Sequence, residues 1–276
     1  MDWSRLFNFT DYAELLPLVQ NSLIAGALLG LVGGLIGIFV MTRDMSFAVH
    51  GISELSFAGA AFALLFGANV IVGSVAGSLF AALLIGALGA RAKDRNSIIA
   101  VLMPFGLGAG ILALALYEGR ASNKFGLLTG QIIAVDDPQL VWLIAICAVV
   151  IVTLLLIWRP LNFASVDSDV AAARGVPTKL LSIVFMLLLG LAVAASVQVV
   201  GALLVLSLLV TPAAAALRVA RSPLAAALLS VTFALVSVLG GILLALGGGL
   251  PISPYVTTIS FLIYVICRVI ERLRRA

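Results

Sequence analysis

Apolar runs long enough to cross a bilayer recur along almost the whole chain, separated by short polar connections. Roughly 20 residues of helix span the hydrocarbon core, where every backbone N–H and C=O needs a partner within the protein. Helices meet that demand locally, and open sheets do not. The pattern predicts an all-α, polytopic membrane protein with about nine transmembrane helices, with roughly eight or ten also compatible. Composition agrees, with 63% hydrophobic and 10% charged residues, against about 25% charged in a soluble domain. The net charge of +4 does not point to nucleic acid. The basic residues sit in short loops and at the C-terminus, as the positive-inside rule expects of cytoplasmic segments.

The reading is one transmembrane domain over residues 1–276, with 1–16 as an interfacial amphipathic segment carrying Trp3, Leu6, Phe7 and Phe9. Acids and aromatics there do not form a signal peptide. Expected spans are about 18–41, 45–67, 70–90, 97–117 and 140–158, then two within 180–217 that meet near Gln198 and Gly201, then 224–246 and 256–269. Glycines stripe the first and third spans at intervals of about four, which suits close helix packing rather than a site. Pro104 predicts a kink or break in the fourth span, and Pro212 a bend near the end of the 180–217 run. The GLGAG at 106–110 lacks the spacing and the strand of a nucleotide-binding loop. Residues 118–139 are half polar and half apolar, a pattern compatible with partial re-entry into the membrane.

One stretch stands apart. Residues 45–67 are apolar enough to span, yet they carry His50, the single histidine of the chain, and Glu54 four positions later. Residues four apart lie one turn above each other on the same helix face. Glu54 alone among the 12 acidic residues falls well inside an expected span. A carboxylate in hydrocarbon costs about 2.5 kcal/mol or more, so such residues face a cavity and mark an ion or substrate path. Three roles are open to the pair: ligands for a passing ion, a gate across its path, or mutual hydrogen bonding without transport function. Cys147 and Cys267 lie in apolar runs without metal-ligand spacing. With one histidine, an H-E-x-x-H metalloprotease is excluded.

The longest polar segment, residues 159–179, reads as a cytoplasmic loop. Within it Ser168 to Gly175 is expected to form one short helix, capped by Asp167 or Ser168, ended by Gly175 and blocked by Pro177. Nine spans put Arg43, residues 91–95, residues 159–179, Arg218, Arg221 and the C-terminal tail on one side, the cytoplasm.

Three stretches together resemble the membrane permease subunits of ABC importers for zinc, manganese or iron. They are Arg43 to Gly59, Val166 to Pro177, and Val197 to Ala216 with its V-x-V-V-G-x-L-L-V and P-A-A-x-A segments. Leu127 to Val135 adds a weaker match. The resemblance keeps its order over nearly the whole chain. It differs at one point: the family commonly has Asp, then His four residues on, and here His50 precedes Glu54. An imidazole and a carboxylate are both kept, a donor set suited to Zn²⁺ and, through the carboxylate, to Mn²⁺.

The resemblance implies a type II ABC importer permease in the bacterial inner membrane, multi-pass in lipid, with a cytoplasmic C-terminus. It implies three partners: a cytoplasmic ABC ATPase, an extracytoplasmic metal-binding protein, and a second copy forming a homodimer that brings two His50 and two Glu54 to one axis. Zinc, with manganese next, is the expected cargo, and no permanent cofactor is expected. No G-x-x-x-x-G-K-[ST] motif occurs, so ATP would act only through the partner. Asp167, Asp169, Ala172, Arg174 and Gly175 are the expected ATPase-coupling residues. The alternative is a proton-coupled secondary transporter with His50 and Glu54 as a proton relay, since histidine titrates near neutral pH.

Overall fold

The computed structural model describes residues 12–88, 92–119, 135–246 and 252–275. Among them every regular element is helical. After single turns at Tyr12–Leu15 and Leu16–Val19 come α1 (Gln20–Thr42), α2 (Ser46–Leu65), α3 (Val70–Leu88), α4 (Ala92–Leu116) and α5 (Asp137–Val166). There follow α6 (Ser168–Ala173), α7 (Thr178–Val200), a 3₁₀ turn at Ala202–Leu204, α8 (Val205–Leu209), α9 (Thr211–Val219), α10 (Pro223–Ala245) and α11 (Ile252–Arg275). Most of the 1–16 segment, of the 118–139 region and of its Leu127–Val135 motif lies outside the described residues.

Eight helices among the described residues are long and apolar enough to cross a membrane: Leu16–Thr42, α2, α3, Asn96–Leu116, α5, α7, α10 and α11. The second span expected within 180–217 corresponds to the shorter broken stretch Val205–Val219, which is not among the eight. The break after α7 falls where Gln198 and Gly201 led it to be expected. Gly201 takes φ +81°, a left-handed conformation that side chains with a Cβ disfavour. Pro212 does not bend a helix there. It sits in the first turn of α9, where its missing N–H leaves no intrahelical bond unmade. The basic residues stay on one side only when this broken stretch also crosses.

Two other prolines lie inside helices. Pro104 lies within the uninterrupted α4, and Pro160 within α5. The first eight residues of the expected 159–179 loop are therefore the last turns of α5.

The chain divides into two compact units. One comprises Met1–Ile38, Gln131–Ala145 and Leu206–Ala276. Within it the glycine stripe of α1 lies against α10: a Cβ on Gly26 would meet Ile242 and Val238, and one on Gly34 the backbone of Val231. Ser230 Oγ donates to the Gly34 carbonyl at 2.8 Å across this contact. Lipid tails are as apolar as leucine, so this close van der Waals packing takes the place of a hydrophobic driving force. Asn21 Nδ2 donates to Asp137 Oδ1 at 2.8 Å at the start of α5.

The other unit comprises Phe39–Gly130 and Ile146–Val205, and α2 is its buried centre. Glycines clamp α2 from two sides. Gly73 and Gly77 of α3 meet the carbonyls of Gly59 and Leu55, and Gly106 and Gly110 of α4 meet the backbone beside Glu54 and the ring of Phe57. The GLGAG segment is thus a packing face. Ser56 and Ser74 add a buried hydroxyl pair at 2.8 Å between α2 and α3.

Candidate metal site and coupling segment

Helix α2 carries His50 and Glu54 on one face, one turn apart. His50 Nε2 lies 3.6 Å from Glu54 Oε1, an ion-pair distance too long for a hydrogen bond. Glu54 is 6% exposed at its side chain and His50 28%, so the pair is buried at one end and open at the other. Among the described residues neither His50 Nδ1 nor Glu54 Oε2 has a hydrogen-bond partner, although both atoms are buried. Leaving a buried polar atom unpaired costs about 1–3 kcal/mol, more when it is charged. Glu54 is nevertheless held there by its backbone, since a Cβ on Gly106 would come within 3.0 Å of the Glu54 carbonyl carbon. Gly106 lets α4 close on the backbone at Glu54, whose Oε2 neither helix satisfies.

Chemically, the pair offers one imidazole nitrogen and one carboxylate, both first-row divalent metal ligands. No group of three or more His, Cys, Asp or Glu gathers elsewhere among the described residues, and none joins this pair. Structural zinc takes four ligands, so one chain supplies half a set. Weak, incomplete coordination suits a transit point, because an ion must leave as readily as it arrives.

The second candidate region is α6. Asp167 is its N-cap: the side chain accepts from Asp169 N and Val170 N, both at 3.0 Å. Gly175 takes φ +83°, with Gly175 N donating to Ala172 O and Val176 N to Ala171 O, both at 3.0 Å. This left-handed ending is the reason a glycine stands there. Ala171 is buried, whereas Asp167, Asp169, Ala172, Arg174 and Gly175 are exposed. Of the three alanines at 171–173, one faces inward and two are presented outward. A Cβ at Gly175 would meet nothing within 4 Å.

One residue between the two regions stood out in the sequence only as part of a motif and as a basic residue of the cytoplasmic side. Arg43 follows α1 at a tight turn in which Asp44 takes φ 51°. Its Nη1 donates to Ser165 Oγ at 3.3 Å and its Nη2 to Ser182 Oγ at 2.6 Å. The guanidinium lies 5.6 Å from the centre of the Phe185 ring, and Phe185 in turn packs edge-on to Phe39. Arg43 thus ties the entry of α2 to the end of α5 and the start of α7, the two helices that flank α6. A sequence pattern could mark the arginine, but not serines more than a hundred residues away.

Residues 16–271 match the ABC 3 transport family. Over 240 residues the chain is 32% identical to the manganese import system permease protein ScaB of Streptococcus pneumoniae, covering 84% of this chain and 83% of that relative. Over 246 residues it is 25% identical to the high-affinity zinc uptake system membrane protein ZnuB of Haemophilus influenzae, covering 89% and 94%. It is also similar to a chain in the structure of PsaBC from Streptococcus pneumoniae in complex with Fab. That likeness has a TM-score of 0.82 and 25% identity, and it covers 93% of this chain and 95% of the other.

Proposed function

The chain belongs to the ABC 3 transport family, and from that premise we propose that it is the permease subunit of an ATP-driven importer for a divalent transition metal ion, zinc first and manganese next. It is a translocator and not itself an enzyme. The single observation that carries the reading is the His50/Glu54 pair: Nδ1 and Oε2, both buried, have no hydrogen-bond partner among the described residues, and they lie on the most enclosed span of their unit.

An extracytoplasmic binding protein delivers the ion, and two copies of the chain enclose its path. Each copy contributes one His50 and one Glu54, which together make up four ligands. Energy comes from a separate ATPase that engages residues 166–177. Asp167 and Gly175 hold that segment in shape, while Asp169, Ala172 and Arg174 present its outer surface. Arg43 passes displacement of the flanking helices to α2. The basic loops and the C-terminal tail face the cytoplasm of a bacterial cell.

Imidazole favours zinc, and manganese import is what the Streptococcus pneumoniae relative is named for. The proton-relay alternative has no observation in its favour. The test is cellular uptake of labelled zinc and manganese, with the neighbouring ATPase and binding protein co-expressed, wild type beside His50→Ala. Uptake of one metal that needs both ATP and His50 is the expected result. Uptake that follows the proton gradient without the ATPase overturns it.

A further inference from the structure

We propose that the arginine cluster at the C-terminal end of α11, beside the end of α9, is a binding site for the phosphate of an anionic phospholipid headgroup. Arg218, Arg268, Glu271, Arg272 and Arg275 line a cavity of about 130 Å³. Four guanidiniums face one carboxylate, so positive charge is in excess by three. Glu271 is already engaged on both oxygens, by Arg218 Nη1 at 3.1 Å and by Arg275 Nη2 at 2.6 Å. Arg268 Nη1 meets the neutral Tyr264 hydroxyl at 3.3 Å, and Arg272 has no ion pair among the described residues. A guanidinium fork matches phosphate oxygens in a bidentate manner, and that is the ligand this arrangement lacks.

The helix says why the phosphate belongs to a lipid. Phe261, Val265, Arg268, Arg272 and Arg275 recur at intervals of four, three, four and three, which aligns them in one stripe along α11. The upper part of the stripe is apolar and open, with Phe261 60% exposed and Val265 38% exposed. The neighbouring stripe of Leu262, Ile266, Val269 and Leu273 is apolar and exposed as well. Acyl chains lying against these residues put a headgroup at the level of the arginines. A free phosphate would have no use for the apolar part, and an acidic protein surface would not extend along a membrane-spanning helix. Basic pockets at the ends of spans recognise anionic headgroups by this combination.

The test uses the full chain purified in mild detergent and native mass spectrometry, with phosphatidylglycerol and phosphatidylcholine as probes. The wild type is expected to retain phosphatidylglycerol in preference, and inorganic phosphate at equal concentration not to displace it. The double variant Arg268→Gln/Arg272→Gln leaves the Arg218–Glu271–Arg275 pairs in place, and is expected to lose that preference by roughly tenfold or more. No preference in the wild type overturns the proposal without any variant. Displacement by inorganic phosphate assigns the site to a free anion. Unchanged lipid retention in the double variant, with loss of co-purifying ATPase, assigns it to a protein partner, and either outcome refutes the lipid site.

Discussion

Glu54 and Asp167 are both carboxylates at positions singled out for function, and their surroundings are opposite. Asp167 is exposed, and one oxygen accepts two backbone N–H groups of the helix it starts. Glu54 is buried, 3.6 Å from a histidine, with the other oxygen meeting nothing among the described residues. The first is a carboxylate whose local work is finished within its own chain. The second is left with unspent ligand capacity at a place where that is costly. Unsatisfied polarity in a buried helix is what distinguishes Glu54 from Asp167. Arg43 stands between the two, reaching Ser165, two residues before Asp167, from a turn seven residues before His50.

The contrast can be broken most severely at its buried end. His50→Ala and Glu54→Ala are each expected to lower metal uptake by at least about tenfold, since even outer-shell changes cost metal sites that much. Membrane insertion, followed by the amount of protein in the membrane fraction, is expected to be unchanged.

Arg43→Ala tests whether the two regions communicate. Losing two hydrogen bonds and the approach to Phe185 is expected to destabilise the protein by about 1–3 kcal/mol in thermal unfolding. Transport per ATP hydrolysed is also expected to fall. Arg43→Lys is expected to recover less than half, because an ammonium cannot reach both hydroxyls as a fork does.

Gly175→Val sharpens the outer end. Its Cβ has open space, so any loss arises from forcing φ +83° on a β-branched residue, about 1–2 kcal/mol of local stability. Gly175→Asn is expected to cost less, and ATPase stimulation by the permease should rank the wild type, Asn and Val in that order.

Asp167→Ala has the smallest expected effect, about 1 kcal/mol of α6 stability through the lost cap. Asp167→Asn keeps an accepting oxygen and is expected to keep coupling. If it loses coupling as fully as the alanine does, charge rather than capping is what the ATPase reads.

These regions were not equally legible in the sequence. The His50/Glu54 spacing is local to one helix, and a carboxylate in an apolar run is conspicuous at any position. The α6 cap and its glycine ending were also legible, because both obey short-range backbone chemistry. Gly201 marked the break after α7 for the same reason. Proline was the weaker signal: α4 continues past Pro104 without a break, and α5 runs past Pro160 into the segment expected to be loop. Arg43 with Ser165 and Ser182, and the fit of Gly106 against Glu54, join elements far apart in sequence. No periodicity within one segment encodes such a contact.

The central claim is that the open valences of His50 and Glu54 serve the cargo and not the fold. Glu54→Gln tests it most directly, because it keeps the shape and removes the charge. ATP-driven metal uptake and the thermal midpoint would be measured on one preparation of this variant beside the wild type. The account predicts uptake lost with the midpoint equal or higher, since a buried carboxyl group with one oxygen unpartnered among the described residues has been replaced by a neutral amide of the same shape. Uptake retained, or uptake and midpoint lost together, would contradict it.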